Sequence, residues 1–213
     1  MEKELQKRIL SSIIIIPVSL FFIIKGSAFF ILFLAILFLI ASFEWLKMAK
    51  KKDLKFFGIS FLILSFYSVY LIRDGGLFEF LMILTICITT DIGGYLFGKI
   101  FKGPKLVKIS PNKTYSGVVG GFLMSIIVAY LVDVNFKSYS QESQNFPDDI
   151  HFVFAVFLVS SVSQIGDLII SFFKRASNIK DTGKFLPGHG GLLDRVDGMI
   201  FVFPFVVIIS KIL

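Results

Sequence analysis

The composition of this chain excludes an ordinary water-soluble domain. Of its 213 residues, 55% are apolar and 17% are charged, whereas soluble domains average about 25% charged residues and about 45–50% apolar ones. This composition excludes a disordered chain, and a single cysteine excludes a secreted domain held together by disulfides. The net charge of +7 is compatible with nucleic-acid binding as well as with a membrane protein, so the positions of the basic residues decide between them.

Seven apolar segments, each about 15 to 22 residues long, predict membrane-spanning helices, because a helix needs roughly 20 residues to cross about 30 Å of hydrocarbon. Helices also satisfy the backbone hydrogen bonds that lipid cannot. We therefore predict an all-α, polytopic integral membrane bundle. It has an N-terminal part of three spans (1–75) and a catalytic part of four spans and two cytoplasmic loops (76–213). The segments are 9–24, 28–43, 56–72, 80–97, 118–132, 152–173 and 199–213.

The basic residues are divided unequally between the two sides of the predicted membrane. Eighteen of the 22 lie before the first segment or after the second, fourth and sixth, and the other side holds only Lys25, Arg73, Lys137 and Lys211. Because positive residues favour the cytoplasmic side, we predict a cytoplasmic N-terminus. Topology then accounts for the basic surplus, and no nucleic-acid partner is expected. The first segment is not followed by a small-residue cleavage site, so we predict that it is retained.

Two aspartates, Asp91 and Asp167, lie inside predicted spans, where a charged side chain costs at least about 2.5–3.5 kcal/mol. Asp167 belongs to a polar stripe on one face of the sixth segment, which we expect to face the bundle interior. Helix packing is an alternative role for the serines and glutamine of this stripe, and Asp91 has the alternative of reaching the membrane surface. Gly94 and Gly98 predict a packing surface. The stripe consists of Ser160, Ser163, Gln164, Asp167, Ser171 and Lys174.

The cytoplasmic loop after the fourth segment contains a candidate phosphate site. Its hydroxyls, lysine and proline turn stand at the start of the next helix, a position that favours anions. The other lysines of this loop are expected only to keep it on the cytoplasmic side of the membrane. They are Lys102, Lys105 and Lys108. The motif is Ser110-Pro111-Asn112-Lys113-Thr114.

The last cytoplasmic loop is the more specific of the two. Glycines let the backbone approach a phosphate, arginine offers a forked pair of donors, and aspartates suit Mg²⁺. A merely solvated loop is the alternative, but the glycine spacing and the upstream Asp167 argue against it. The loop reads Ser171-Phe172-Phe173-Lys174-Arg175, Lys180-Asp181-Thr182-Gly183, Pro187-Gly188-His189-Gly190-Gly191 and Asp194-Arg195-Val196-Asp197-Gly198.

Over residues 171–197 the chain resembles the signature of the phosphatidate cytidylyltransferases: S-x-F-K-R, four residues, K-D-x-G, then P-x-H-G-G-L-x-D-R-V-D. Residues 91–99 and 110–114 also resemble blocks of that family, so the likeness runs from about residue 80 to the C-terminus. The chain departs from the family at two points. Bacterial members often have about nine spans rather than seven, and Ser116 stands where Glu or Gln is common, which leaves its role open.

The resemblance implies transfer of a cytidylyl group from CTP to phosphatidate, for phospholipid biosynthesis. It implies a homodimer in the cell membrane whose active site faces the cytoplasm. Mg²⁺ would be bound by Asp167 and Asp194, with Asp197 as a further ligand and, as an option, a second, monovalent cation. Binding roles are expected for the other site residues, with His189 orienting a phosphate or the nucleotide. They are Lys174, Arg175, His189, Ser110, Lys113, Lys180, Asp181, Arg195 and Asp91.

Two other function classes remain open at this point. A CTP-using lipid kinase, such as a polyprenol kinase, would share a cytoplasmic phosphate site but would activate an alcohol. An ion-coupled transporter would also place carboxylates within its spans, although it has no need of a glycine-rich loop on one side. A CDP-alcohol phosphotransferase is disfavoured, because Asp197-Gly198 does not begin a D-G-x-x-A-R series.

Overall fold

The computed structural model describes residues 2–107, 110, 113–136, 149–185, 188 and 190–212. Over these residues the chain forms long helices joined by short connections, with a single helical turn before the last helix. The helices are α1 (Glu2–Lys25), α2 (Ser27–Met48), α3 (Lys52–Gly75), α4 (Leu77–Phe101), α5 (Tyr115–Phe136), α6 (Asp149–Ala176), α7 (Leu193–Val196) and α8 (Met199–Ile212).

Each of the seven predicted segments coincides with a helix, which confirms the all-α membrane fold. In the part of the chain that the structure describes, α2 to α6 are long and apolar enough to cross a membrane. Two shorter apolar stretches, Ser11–Lys25 in α1 and Met199–Lys211 in α8, accompany them. Large apolar side chains such as Leu39, Phe56 and Ile165 are exposed, as expected where the surrounding medium is lipid. The predicted orientation stays a prediction.

The connections after α2, α4 and α6 meet at one end of the bundle, which we call the basic end. Ser177, just after α6, donates a hydrogen bond to the carbonyl oxygen of Met48 at the end of α2 (2.8 Å). Lys113, just before α5, pairs with Asp167 of α6. These contacts place the last loop beside the end of α2 and the first loop against α6.

Trp45 fixes the end of α2 against its neighbours. A Cβ atom at Gly58 of α3 would lie 1.8 Å from the Trp45 ring, so only glycine permits this approach. The indole N–H donates to the carbonyl oxygen of Leu54 (3.1 Å), and the ring meets Phe173 of α6 edge-on, with centroids 5.2 Å apart. Leu193 of α7 belongs to the same apolar core. This core therefore holds α2, α3, α6 and α7 in a fixed arrangement around the last loop.

Glycines allow α4 and α5 to pack closely. A Cβ atom at Gly93 would lie 2.3 Å from a carbonyl oxygen of α5, and one at Gly117 would lie 2.7 Å from the carbonyl oxygen of Gly94. The Cβ position of Gly98 is 3.1 Å from the Thr114 hydroxyl. The predicted packing role of Gly94 and Gly98 is confirmed. Such close contact between small residues is a common way for membrane helices to associate.

Candidate active site

The polar stripe of α6 faces the interior of the bundle, as predicted. Ser160 and Ser163 are almost completely buried, and Thr90 of α4 donates a hydrogen bond to Ser160 (2.9 Å). At this depth the stripe joins two helices, which agrees with the packing alternative for Ser160. Nearer the basic end it presents the charged residues Asp167 and Lys174.

Asp167 and Lys113 form an ion pair that joins the two predicted loops. The Lys113 ammonium contacts Oδ2 of Asp167 and lies 3.5 Å from the carbonyl oxygen of Gln164. Ser171 donates to Oδ1 of Asp167 (3.3 Å). The two charged side chains keep 24% and 26% of their surface exposed, so the pair remains accessible to a ligand. The structure thus brings Lys113 of the Ser-Pro-Asn-Lys-Thr motif against the polar stripe of α6.

Asp91, Asp167 and Asp197 form a carboxylate cluster whose members come from three parts of the chain. Asp91 of α4 interacts electrostatically with Asp167, Lys113 and Arg195, and both Asp91 and Asp167 act on Asp197. Burial raises the pKa of the Asp197 carboxyl well above its usual range, and repulsion from Asp167 raises it further. The cluster concentrates negative charge that a bound cation would relieve.

Asp194 holds Lys174 and the last loop together. Its Oδ1 accepts a hydrogen bond from the Lys174 ammonium (2.8 Å), and its Oδ2 accepts from the backbone N–H groups of Thr182 (2.8 Å) and Gly191 (2.9 Å). Burial by itself raises the pKa of Asp194, but these bonds outweigh it and hold that pKa below the ordinary aspartate value. Both carboxylate oxygens are engaged, so a metal ligand role requires these donors to share them. That role stays a prediction.

Glu44 was missed by the sequence reasoning, although it is 3% exposed and lies against the last loop. The apolar segment 28–43 ends one residue before it, which places Glu44 at the membrane surface, whereas α2 continues to Met48. Extending the segment by one helical turn would count Glu44 as a third acidic residue within a span. The Thr182 hydroxyl, which donates to Glu44 (2.9 Å), was missed as well.

Three further predicted residues, at the end of α6 and in the last loop, are exposed. Arg175 is exposed and donates to the carbonyl oxygen of Ile179 (3.2 Å), which closes the end of α6. Lys180 and Asp181 are exposed, and His189 lies outside the described residues. The binding roles predicted for these residues stay predictions.

The residues of the first loop shape the turn that presents Lys113. The carbonyl oxygen of Ser110 accepts a hydrogen bond from the Lys113 N–H (3.1 Å). Ser116 donates to the carbonyl oxygen of Lys102, and its hydroxyl lies 3.0 Å from that of Thr114. Ser116 therefore ties the two ends of the loop together.

The cluster suits Mg²⁺ that is shared with a substrate better than a preformed metal cage. Across the described part of the chain, no group of three His, Cys, Asp or Glu side chains is arranged to hold a metal ion. Mg²⁺ is usually bound by only one or two carboxylates, together with water and substrate phosphates. Asp167 and Asp197 offer hard carboxylate oxygens whose mutual repulsion a cation would relieve. The donor set therefore fits Mg²⁺.

The chain is similar to known proteins over most of its length. Residues 56–213 match the model of the cytidylyltransferase family. A phosphatidate cytidylyltransferase of Staphylococcus aureus (strain COL) is 39% identical over 153 residues, which are 69% of this chain and 54% of that protein. One of Rickettsia felis is 32% identical over 218 residues, which are 98% of this chain and 93% of that protein. The chain thus spans about half the length of the staphylococcal relative and most of the rickettsial one.

Proposed function

Since this chain belongs to the cytidylyltransferase family, we propose that it transfers a cytidylyl group from CTP to phosphatidate, which yields CDP-diacylglycerol and pyrophosphate. The observation that carries this proposal is the ion pair between Lys113 and Asp167. It joins two motifs that lie far apart in the sequence at one charged, accessible position within the carboxylate cluster.

The reaction joins two polyanions. An oxygen of the phosphatidate phosphate attacks the α-phosphorus of CTP and forms a new P–O bond. The bond from the α-phosphorus to the oxygen that bridges to the β-phosphorus breaks, and its electron pair leaves on pyrophosphate. The attacking phosphate is already ionised near neutral pH, so no general base is needed to create the nucleophile. Catalysis then depends on positioning and on the neutralisation of charge.

We assign the phosphates to Lys113, Lys174 and Arg195, the basic residues next to the carboxylate cluster. Asp167 holds Lys113 and Asp194 holds Lys174, so each ammonium is positioned before the substrates bind. An ammonium has three N–H donors, so each lysine can keep its carboxylate partner while it binds a phosphate oxygen. Arg195 is exposed on α7, where its forked donors suit a phosphate.

Asp167 and Asp194, the pair that the family resemblance implies, would hold Mg²⁺, with Asp197 as a further ligand. Bound Mg²⁺ supplies positive charge to the phosphoryl oxygens and the leaving pyrophosphate. The chain itself contributes the carboxylates that retain the ion, at the position where the phosphates would be bound.

We place the lipid substrate at a groove between α2 and the last loop. The groove has a volume of about 420 Å³. Ile40 and Phe43 line its apolar side, and Lys47 and Lys184 stand at its polar edge. Apolar side chains suit an acyl chain, and the two lysines suit an anionic headgroup on its way to the phosphate-binding residues named above.

We further propose that the protein lies in the inner membrane with its basic end toward the cytoplasm, where CTP is available. The distribution of the 22 basic residues supports this orientation. A homodimer is proposed on the family resemblance alone.

The function is tested with purified full-length protein, phosphatidate, Mg²⁺ and CTP that is radiolabelled either on the α- or on the γ-phosphate. We expect the α label in the lipid and the γ label in pyrophosphate, and we expect loss of both when a chelator removes Mg²⁺. Label from the γ-phosphate in the lipid would indicate a kinase and refute the proposal. Failure to label phosphatidate at all, with a known family member active in the same assay, would also refute it.

A further inference from the structure

Glu44 of α2 is bound to both halves of the last loop. Its Oε2 accepts hydrogen bonds from the Thr182 hydroxyl (2.9 Å) and from the backbone N–H of Leu193 (2.9 Å), and its Oε1 accepts from the N–H of Leu192 (2.9 Å). These three donors are all neutral. A buried carboxylate costs free energy unless hydrogen bonds compensate it, and here the last loop supplies that compensation.

Two glycines of the last loop leave room for this carboxylate. A Cβ atom at Gly183 would lie 2.5 Å from Oε1 of Glu44, and one at Gly191 would lie 2.6 Å from Oε2. The sequence suggests that such glycines bring backbone close to a phosphate, whereas here they bring it close to Glu44. Contact with α2 therefore explains the glycine at position 183, and at position 191 the Thr182 hydroxyl of the same loop leaves no room for a Cβ atom either.

Glu44 and Asp194 hold the same backbone from opposite sides. The Thr182 hydroxyl donates to Glu44, while the Thr182 N–H donates to Asp194 (2.8 Å). Similarly, the N–H of Gly191 donates to Asp194 (2.9 Å), and the next N–H, that of Leu192, donates to Glu44. A shift of Glu44 would therefore move the groups that orient Asp194, and with it the ammonium of Lys174.

We infer that Glu44 is a positioning residue for the transferase site, acting through Asp194 and Lys174, although it also lines the groove that we assign to the lipid. The inference rests on the proposed function. It extends the site to α2, which lies before the stretch 56–213 that matches the family model.

The Glu44→Gln variant tests this inference because it keeps the shape of the side chain. A glutamine offers one acceptor oxygen, and its NH₂ group must face either the N–H of Leu192 or that of Leu193. One buried backbone donor then loses its partner. We expect kcat for CDP-lipid formation to fall about 10- to 100-fold, the range typical when a residue that orients a metal-site ligand is replaced. Because the effect concerns positioning, kcat and kcat/KM should fall together.

Thr182→Val is the milder second variant, since it removes one hydrogen bond to Glu44 and keeps the N–H that Asp194 accepts. We expect a fall in kcat of about 2- to 10-fold. Glu79→Gln serves as the matched control, because Glu79 is an exposed glutamate in the first turn of α4. Its kcat should remain that of the unmodified protein.

Every kcat is expressed per folded molecule, as measured by size-exclusion chromatography and by the thermal unfolding amplitude. A merely structural role would reduce the folded fraction but leave kcat per folded molecule unchanged, and that result would overturn the inference. If Glu44→Gln does not fold, the kcat of Thr182→Val decides, and an unchanged value overturns the inference. Failure of the proposed function is a different result, because the unmodified protein would then form no CDP-lipid.

Discussion

Replacement of Asp194 by asparagine should loosen the last loop and impair catalysis together. The carboxylate accepts three hydrogen bonds, one from Lys174 and two from backbone N–H groups. Only 12% of the Lys174 side chain and 7% of the Asp194 side chain are exposed. Asparagine is nearly isosteric, but it has a single acceptor oxygen and no charge, so it cannot satisfy both sets of donors.

The cost follows from the two orientations that the asparagine can take. If its oxygen faces the two backbone N–H groups, its NH₂ group faces the Lys174 ammonium, which loses its counter-ion. Removal of one partner of a buried ion pair costs about 3–5 kcal/mol. If its oxygen faces Lys174, two backbone donors are unsatisfied, at about 1–3 kcal/mol each. Either orientation of the asparagine therefore removes about 3 kcal/mol from the free energy that keeps the loop closed. Since about 1.4 kcal/mol is a factor of ten, the loop should open about 100-fold more often.

Limited trypsin digestion of the folded protein measures this opening, because Lys180 and Lys184 lie within the loop. We expect cleavage there to be about 100-fold faster in Asp194→Asn, together with a fall in kcat of at least about 100-fold. Asp53→Asn, an exposed aspartate at the start of α3, controls for the loss of one negative charge. If Asp194→Asn is cleaved at the rate of this control, the hydrogen bonds of Asp194 do not hold the loop. Normal turnover would remove Asp194 from the site.

Three further predictions follow from individual contacts. Gly93→Ala should lower the free energy of thermal unfolding of the detergent-solubilised protein by about 1–3 kcal/mol, because the new Cβ atom would lie 2.3 Å from a carbonyl oxygen of α5. In the control Gly75→Ala, the new Cβ atom has nothing within 4 Å, and the free energy of unfolding should change by at most about 0.5 kcal/mol. Lys113→Met should lower kcat/KM for CTP at least about tenfold, whereas Lys102→Met, at an exposed lysine of the same loop, should not. The lowered pKa of Asp194 means that its stabilising effect is complete above the ordinary aspartate pKa of about 4 and is lost as the pH falls through the lower folded value. This is measured by hydrogen exchange of the loop amides without Mg²⁺, corrected for intrinsic rates. Protection of these amides should be constant from about pH 7 to 5 and should decrease below about pH 4. The Asp194→Asn variant should not show this decrease.

The helices could be predicted because lipid leaves the backbone few alternatives. Apolar segments long enough to cross hydrocarbon must form helices there, so their number and order follow from composition alone. Their ends could not be located as well. The second segment stops at residue 43, while α2 continues to Met48, because Glu44 and Lys47 favour a helix as much as the apolar residues do. The single turn of α7 has too few residues to show a periodic pattern. It depends on Glu44, which accepts hydrogen bonds from the N–H groups of Leu192 and Leu193 at its N-terminal end.

Part of the site could also be predicted, because charge inside a membrane span is costly and helical periodicity shows which residues share a face. Asp167 and the buried stripe follow from these two facts. The partner of Asp167 does not, since Lys113 lies 54 positions earlier in the chain and meets it only through the tertiary packing of the helices. For the same reason, the family resemblance implies a metal-ligand role for Asp194, which stays a prediction, but not its three hydrogen bonds.

Glu44 shows why the positions of helix ends matter when a site is predicted from the sequence of a membrane protein. An acidic residue at the edge of an apolar segment can reach water, and the hydropathy pattern gives no reason to expect more. What distinguishes Glu44 is that a second segment far along the chain, with glycines at two positions, closes over it. Burial then makes its hydrogen bonds obligatory. The N-terminal helices therefore do more than anchor the protein, because residues 56–213 by themselves contain no Glu44 to accept the Thr182, Leu192 and Leu193 donors that shape the last loop.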